Sequence, residues 1–182
     1  MAKASRELVI ALRQTAARLV VESVPYRWGS FSLCNCGHLA QTVTGLAPGE
    51  IESRASRGEG DWATQAWYTE PVRFPSFDYG DRPALDEGAW EPEDVGACQV
   101  TGAPLDDVFR SLYRLGLSRE DVGYLERLSD PAVRRRLGKS TVRFAHHDRR
   151  NVVTYLEAWA DLLEEDLGGP VAEPAVYLEA AE

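Results

Sequence analysis

The sequence predicts a mainly α-helical protein, an irregular helical bundle built around one core. Apolar side chains recur at helical spacing in four segments, helix-capping residues stand at the ends of those segments, and no two alternating strands are joined by a hairpin turn. The 182 residues, of which 44% are hydrophobic, suffice for a single core. We therefore expect one helical domain over residues 1–170, followed by a loose acidic tail over 171–182.

The first predicted helix covers residues 5–24. Leu8, Leu12 and Leu19 recur at helical spacing and give it one apolar face. Pro25 is expected to end it, because proline has no amide donor and pushes the preceding residue out of the helical region. The apolar face of this helix should lie in the core.

A second, short helix is predicted over residues 37–44. Gly45 would end it in the left-handed conformation, and Cys36 would then lie at its N-terminus. Because a helix N-terminus stabilises negative charge, that position favours a thiolate. Another short helix is predicted over 49–57, and Asp61 should cap the turn that follows.

Regular spacing disappears over residues 68–101. This segment combines prolines and glycines with aromatic side chains and many carboxylates. A loop of this length is uncommon in a compact domain unless it is functional. We therefore expect a long acidic, aromatic-containing loop, and it is the predicted surface for a protein partner.

Three further helices with apolar periodicity are predicted over 104–115, 118–128 and 148–167. A Ser-x-x-Asp capping box opens the second of them. Asp130 and Gly138 frame a shorter helix in between. The predicted core side chains of the four main helices are Leu12, Leu19, Phe109, Leu112, Leu125, Leu156 and Trp159.

The overall charge restricts the classes of function. A formal net charge of -9 argues against a general nucleic-acid binder, because such proteins must neutralise phosphates. The sequence shows neither an export signal nor an apolar run of membrane-spanning length, so we expect a cytoplasmic protein that does not enter the membrane. An odd number of cysteines in such a chain favours reduced thiols or metal ligation over a disulfide framework.

The consecutive residues Cys34, Asn35, Cys36, Gly37 and His38 hold two of the three cysteines and one of the three histidines. Thiolates and imidazoles are preferred ligands of zinc, which usually takes four ligands in structural sites. A metal-binding protein, with zinc as its cofactor, is therefore the leading prediction. The predicted metal ligands are Cys34, Cys36, His38, Cys98, His146 and His147.

Cys98 is the distant donor that such a site requires. We expect its sulfur within about 4 Å of the sulfur of Cys34 or Cys36, the separation of ligands that share one tetrahedral zinc. The His-His-Asp sequence at 146–148 has two interpretations. It supplies ligands backed by a carboxylate, or it is the polar start of a helix with Asp148 as the N-cap residue.

Nucleophilic catalysis is the enzymatic alternative. A Tyr-x-Trp-Gly stretch begins at Tyr26 and precedes Cys36, where a helix opens. This stretch resembles the nucleophile segment of papain-like bacterial cell-wall peptidases. The resemblance implies a cysteine-dependent hydrolase in which Cys36 is the nucleophile, His146 or His147 is the base, and the histidine lies on an antiparallel sheet.

Residues 33–36 are also similar to the end of the cysteine-rich metal loop of nitrile hydratases, in which three cysteines and backbone amides hold iron or cobalt. Phe31 occupies the position of the first of those cysteines.

Two further alternatives involve no metal. In the first, Cys34 and Cys36 are small buried residues at a tight turn, and His38 caps a helix. In the second, the two cysteines form a redox pair, although the single residue between them would strain a disulfide.

Overall fold

A computed structural model describes residues 1–55, 60–68, 105–138 and 144–171. Within these ranges the chain forms eight α-helices and no β-strand. The helices are α1 (Arg6–Val20), α2 (Asn35–Thr44), α3 (Pro48–Ala55), α4 (Trp62–Tyr68), α5 (Leu105–Arg114), α6 (Arg119–Arg127), α7 (Pro131–Arg136) and α8 (Arg149–Asp166). The mainly α-helical fold is confirmed, and the described residues contain none of the sheet that the papain-like resemblance implies.

The helix α1 ends earlier than the sequence predicts. It stops at Val20 rather than at Pro25, because Val21 is extended and its amide returns to the carbonyl of Arg18. The guanidinium of Arg149 donates to three carbonyl groups of the turn that follows. That long-range interaction holds the backbone out of the helix, and periodicity along the sequence carries no sign of it.

The predicted core is confirmed. One cluster of buried side chains joins the long pair α1 and α8 to α2, α5 and α6. A hydrophobic stripe on each of the long helices α1 and α8 faces this cluster, as the spacing requires. The predicted core residues are all buried, namely Leu12, Leu19, Phe109, Leu112, Leu125, Leu156 and Trp159.

Predicted capping residues also lie where helices begin or end. Ser118 and the first turn of α6 form a capping box, and Asp130 caps α7 with its carboxylate. Asp148 accepts from the amide of Arg150 at the start of α8. Gly45 ends α2 at a positive φ of 69°, a conformation that favours glycine.

The short helix α2 lies at the centre of the fold, where it contacts α1, α3, α5 and α6. The Cys-x-Cys-Gly-His sequence at its N-terminus is therefore interior. No helix in the described part of the chain combines the length and apolarity needed to cross a membrane. Residues 69–101 of the acidic loop, including Cys98, and residues 172–182 of the tail lie outside the described residues, so the expectations about them stay predictions.

Candidate functional site

The start of α2 is set by a close backbone approach. Cys36 lies in the first turn, as predicted, and the helix begins two residues earlier than expected, with Cys34 as its N-cap residue. A Cβ atom at Gly37 would overlap the carbonyl oxygen of Phe31 and lie 2.5 Å from the carbonyl group of Ser32. Only glycine allows the helix to begin this close to the preceding turn.

Asn35 ties the start of α2 to the end of α6. Its Nδ2 donates to the carbonyl oxygens of Leu125 at 3.1 Å and Glu126 at 3.0 Å. The hydroxyl of Tyr26 shares its proton between Asn35 Oδ1 at 2.7 Å and the carbonyl oxygen of His146 at 2.9 Å. Asn35 therefore donates to carbonyl groups in the last turn of α6, where regular intrahelical hydrogen bonding ends.

His38 is a structural residue in this fold. Its Nε2 lies 3.0 Å from the carbonyl oxygen of Pro25 and its Nδ1 lies 3.4 Å from the guanidinium of Arg18. Burial, together with the positive charge of Arg18, lowers the pKa of His38 to about 4. The neutral ring donates to Pro25 and accepts from Arg18, so neither ring nitrogen is left for a metal ion.

The two thiols of the cluster are buried and protonated. Cys34 Sγ donates to the carbonyl oxygen of Phe31 at 3.6 Å, and Cys36 Sγ donates to that of Val122 at 3.6 Å. Burial raises the pKa of Cys34 to about 12, against the opposing effect of the Gly37 amide. Burial and the neighbouring thiol raise the pKa of Cys36 well above its usual range. Desolvation therefore outweighs the helix N-terminus that was expected to favour a thiolate.

Cys34 and Cys36 differ in what they face. Cys34, which is 4% exposed, lines a pocket of about 320 Å³ beside α4 and α6. Cys36 is fully buried and faces the backbone of α6. The other side chains that line the pocket are Trp28, Ser30, Phe31, Asp61, Trp62 and Glu126.

Glu126 is the residue that the sequence prediction missed. It is 5% exposed, and its Oε2 accepts from the backbone amide of Ala63 at 3.1 Å. Burial and the negative charge of Asp61 raise the pKa of this carboxyl group. The available signal was its position four residues after Val122 and next to Leu125, on the buried face of α6.

The predicted ligands His146 and His147 do not join the two thiols. The ring of His146 packs on the indole of Trp28, with centroids 4.2 Å apart. His147 is exposed and meets the edge of the His146 ring at 5.7 Å. In the described part of the chain, no three Cys, His, Asp or Glu side chains lie close enough to hold a metal ion. The predicted ligand set is therefore not assembled there, and Cys98 lies outside it.

The nucleophile prediction also meets a geometric difficulty. Cys36 is buried and faces α6, whereas a nucleophile must reach its substrate.

No protein-family model matches the chain, and comparisons with curated proteins and with solved structures find no significant match either. The described residues define an all-α protein with an acidic, thiol-bearing pocket.

Proposed function

We propose that the protein binds a thiophilic metal ion, with zinc as the expected ion, through the thiolates of Cys34 and Cys36. One observation carries the proposal: the thiols of Cys34 and Cys36 are buried one residue apart, and the negative charge of Glu126 acts on both of them. Burial raises the pKa of all three groups, and repulsion from the negative charge of Glu126 adds to the rise for both thiols. A bound cation would reverse that repulsion and stabilise the deprotonated ligands.

The ligand set of this proposal is narrower than the sequence suggests. Two thiolates fill half of a tetrahedral zinc site. The hydrogen bonds of His38 argue against its participation. Cys98 remains the predicted third protein ligand, and the pocket beside Cys34 could supply water for a further position. Binding would replace the weak hydrogen bonds that the two thiols donate to carbonyl oxygens.

A cysteine-dependent hydrolase receives less support. A nucleophilic thiol needs an accessible thiolate, and Cys36 has neither property in this fold. The interaction module built on the acidic loop concerns residues outside the described ranges. Zinc binding is therefore the function to test first.

Elemental analysis of protein purified without a tag tests the proposal directly. We expect close to one zinc ion per chain in the wild-type protein and loss of that ion in the double variant Cys34→Ser, Cys36→Ser. His38→Gln is the matched control, since it alters the same cluster but removes no proposed ligand. It should retain the metal. Circular dichroism establishes that each variant keeps its helices.

Residue-resolved alkylation provides a second readout. Both thiols should be labelled slowly while the ion is bound, and Cys34, which borders the pocket, should be labelled faster after a chelator removes it. The proposal fails if the protein holds no zinc before or after incubation with the ion and if the chelator does not change the labelling rate. Those results would show that the two thiols are core residues only. Loss of zinc in His38→Gln would instead restore the Cys-x-Cys-x-His ligand set.

A further inference from the structure

The walls of the pocket carry a second, independent pattern, formed by aromatic rings and carboxylates. Phe31 and Trp62 lie with their ring centroids 6.1 Å apart and their planes at 54°. The indole nitrogen of Trp62 donates to the carbonyl oxygen of Phe31 at 3.0 Å, which fixes its ring. Trp28 is held by its contact with His146. The proposed metal ligation uses none of these rings.

The carboxylates lie at two depths. Asp61 is at the mouth, where it accepts from the amide of Thr64 at 2.8 Å and from its hydroxyl at 2.6 Å. Arg127 approaches Asp61 to 3.4 Å, but both side chains of this pair are largely exposed, so the charge of Asp61 is only weakly offset. Glu126 lies deeper and is almost fully buried. Negative charge therefore extends from the mouth into the pocket.

We infer that this pocket binds a small organic cation, an alkylammonium group that packs on Trp28 and the Phe31–Trp62 pair and is neutralised by Asp61 and Glu126. Aromatic faces attract cations through the ring quadrupole, and quaternary ammonium ligands are recognised in this way. The pocket volume of about 320 Å³ suits a small ligand. A neutral ligand of the same shape would leave the buried carboxyl group uncompensated.

Choline is a suitable probe, because 3,3-dimethylbutan-1-ol has the same shape without the charge. Titration of the purified protein by calorimetry should show saturable binding of choline and binding of the neutral alcohol at least about tenfold weaker. Trp28→Leu and Glu126→Gln should each weaken choline binding about fivefold or more. Glutamine keeps an oxygen that can accept from the Ala63 amide, so this variant retains the local hydrogen bond.

Trp67→Leu is the matched control for loss of a tryptophan. Trp67 lies on α4 but is 57% exposed and outside the pocket, so this variant should bind choline like the wild type. Choline binding should persist after a chelator has removed any bound zinc, which separates this inference from the zinc proposal. Equal affinity for choline and the neutral alcohol would overturn the inference. So would absence of saturable binding, or binding that Trp28→Leu leaves unchanged.

Discussion

The two cysteines that begin α2 lie in contrasting surroundings although one residue separates them. Cys36 faces inward with Asn35, and both contact carbonyl oxygens of α6. Cys34 lies on the other side and borders the pocket. Cys34 is the N-cap residue and has an extended backbone, so its side chain leaves the chain in a different direction from that of Cys36 within the helix. The most concentrated sequence feature of the chain is therefore divided between holding the fold and lining a site.

A similar contrast separates two buried acids of α6. Asp121 belongs to a capping box, in which its Oδ2 accepts from the amide and hydroxyl of Ser118 at 2.8 and 2.7 Å. The terminal ammonium group of Met1 lies 3.7 Å from its Oδ1. Glu126 is held by the amide of Ala63 and borders the pocket. The first acid serves the helix, whereas the second is available to a ligand.

The largest effect is expected on the inward side, from Gly37→Ala. The added Cβ would overlap the Phe31 carbonyl oxygen. Because that oxygen belongs to the backbone and a Cβ has no rotamer of its own, the turn must move away from α2. We expect a loss of about 3 kcal/mol or more in the free energy of unfolding, measured by urea denaturation.

Gly49→Ala is the matched control for this substitution. Gly49 lies in α3, and a Cβ there would meet no atom within 4 Å. Its stability should stay the same or rise slightly, because alanine restricts the unfolded chain. Equal stability of the two alanine variants would show that α2 does not pack against the preceding turn as described.

Local signals explain how much of the fold the sequence could predict. Apolar spacing and capping residues are signals that involve only neighbouring positions in the sequence. The predicted helices and their buried faces are therefore mostly confirmed. The end of α1 is the exception, because Arg149 reaches it from a distant helix. Residue type identified the cluster, but the partners of His38 and the pocket beside Glu126 depend on how helices pack. Periodicity along one helix does not contain that information.

The next largest effect is a pH-dependent loss of stability that arises from His38 in α2. Burial and Arg18 lower the pKa of His38 in the folded protein from 6.5 to about 4. Between these values the unfolded chain binds more protons, so stability falls as pH decreases from about 6.5 towards 4. The loss should amount to roughly 3 kcal/mol.

His38→Gln isolates this contribution from the other acidic groups. The difference in unfolding free energy between wild type and variant should favour the wild type most at neutral pH and shrink on acidification. Thermal or urea unfolding over pH 4 to 7.5 measures it. A difference that is constant with pH would mean that the ring of His38 is not held neutral by its surroundings.

The smallest change in stability is expected from Glu126→Gln at the pocket. This substitution should raise the free energy of unfolding, whereas Gly37→Ala and His38→Gln lower it. The folded protein raises the pKa of Glu126, so the wild type loses stability as pH rises from the unfolded value near 4.5 through the folded one. The glutamine variant has no charge to bury. We expect it to match the wild type near pH 4 and to be more stable by up to about 1 kcal/mol at pH 8, measured by urea unfolding. Asp121→Ala, which removes a capping side chain, should instead cost about 1 kcal/mol. A marked loss of stability in Glu126→Gln would place Glu126 with the residues that hold the fold, and the division between the two acids of α6 would fail.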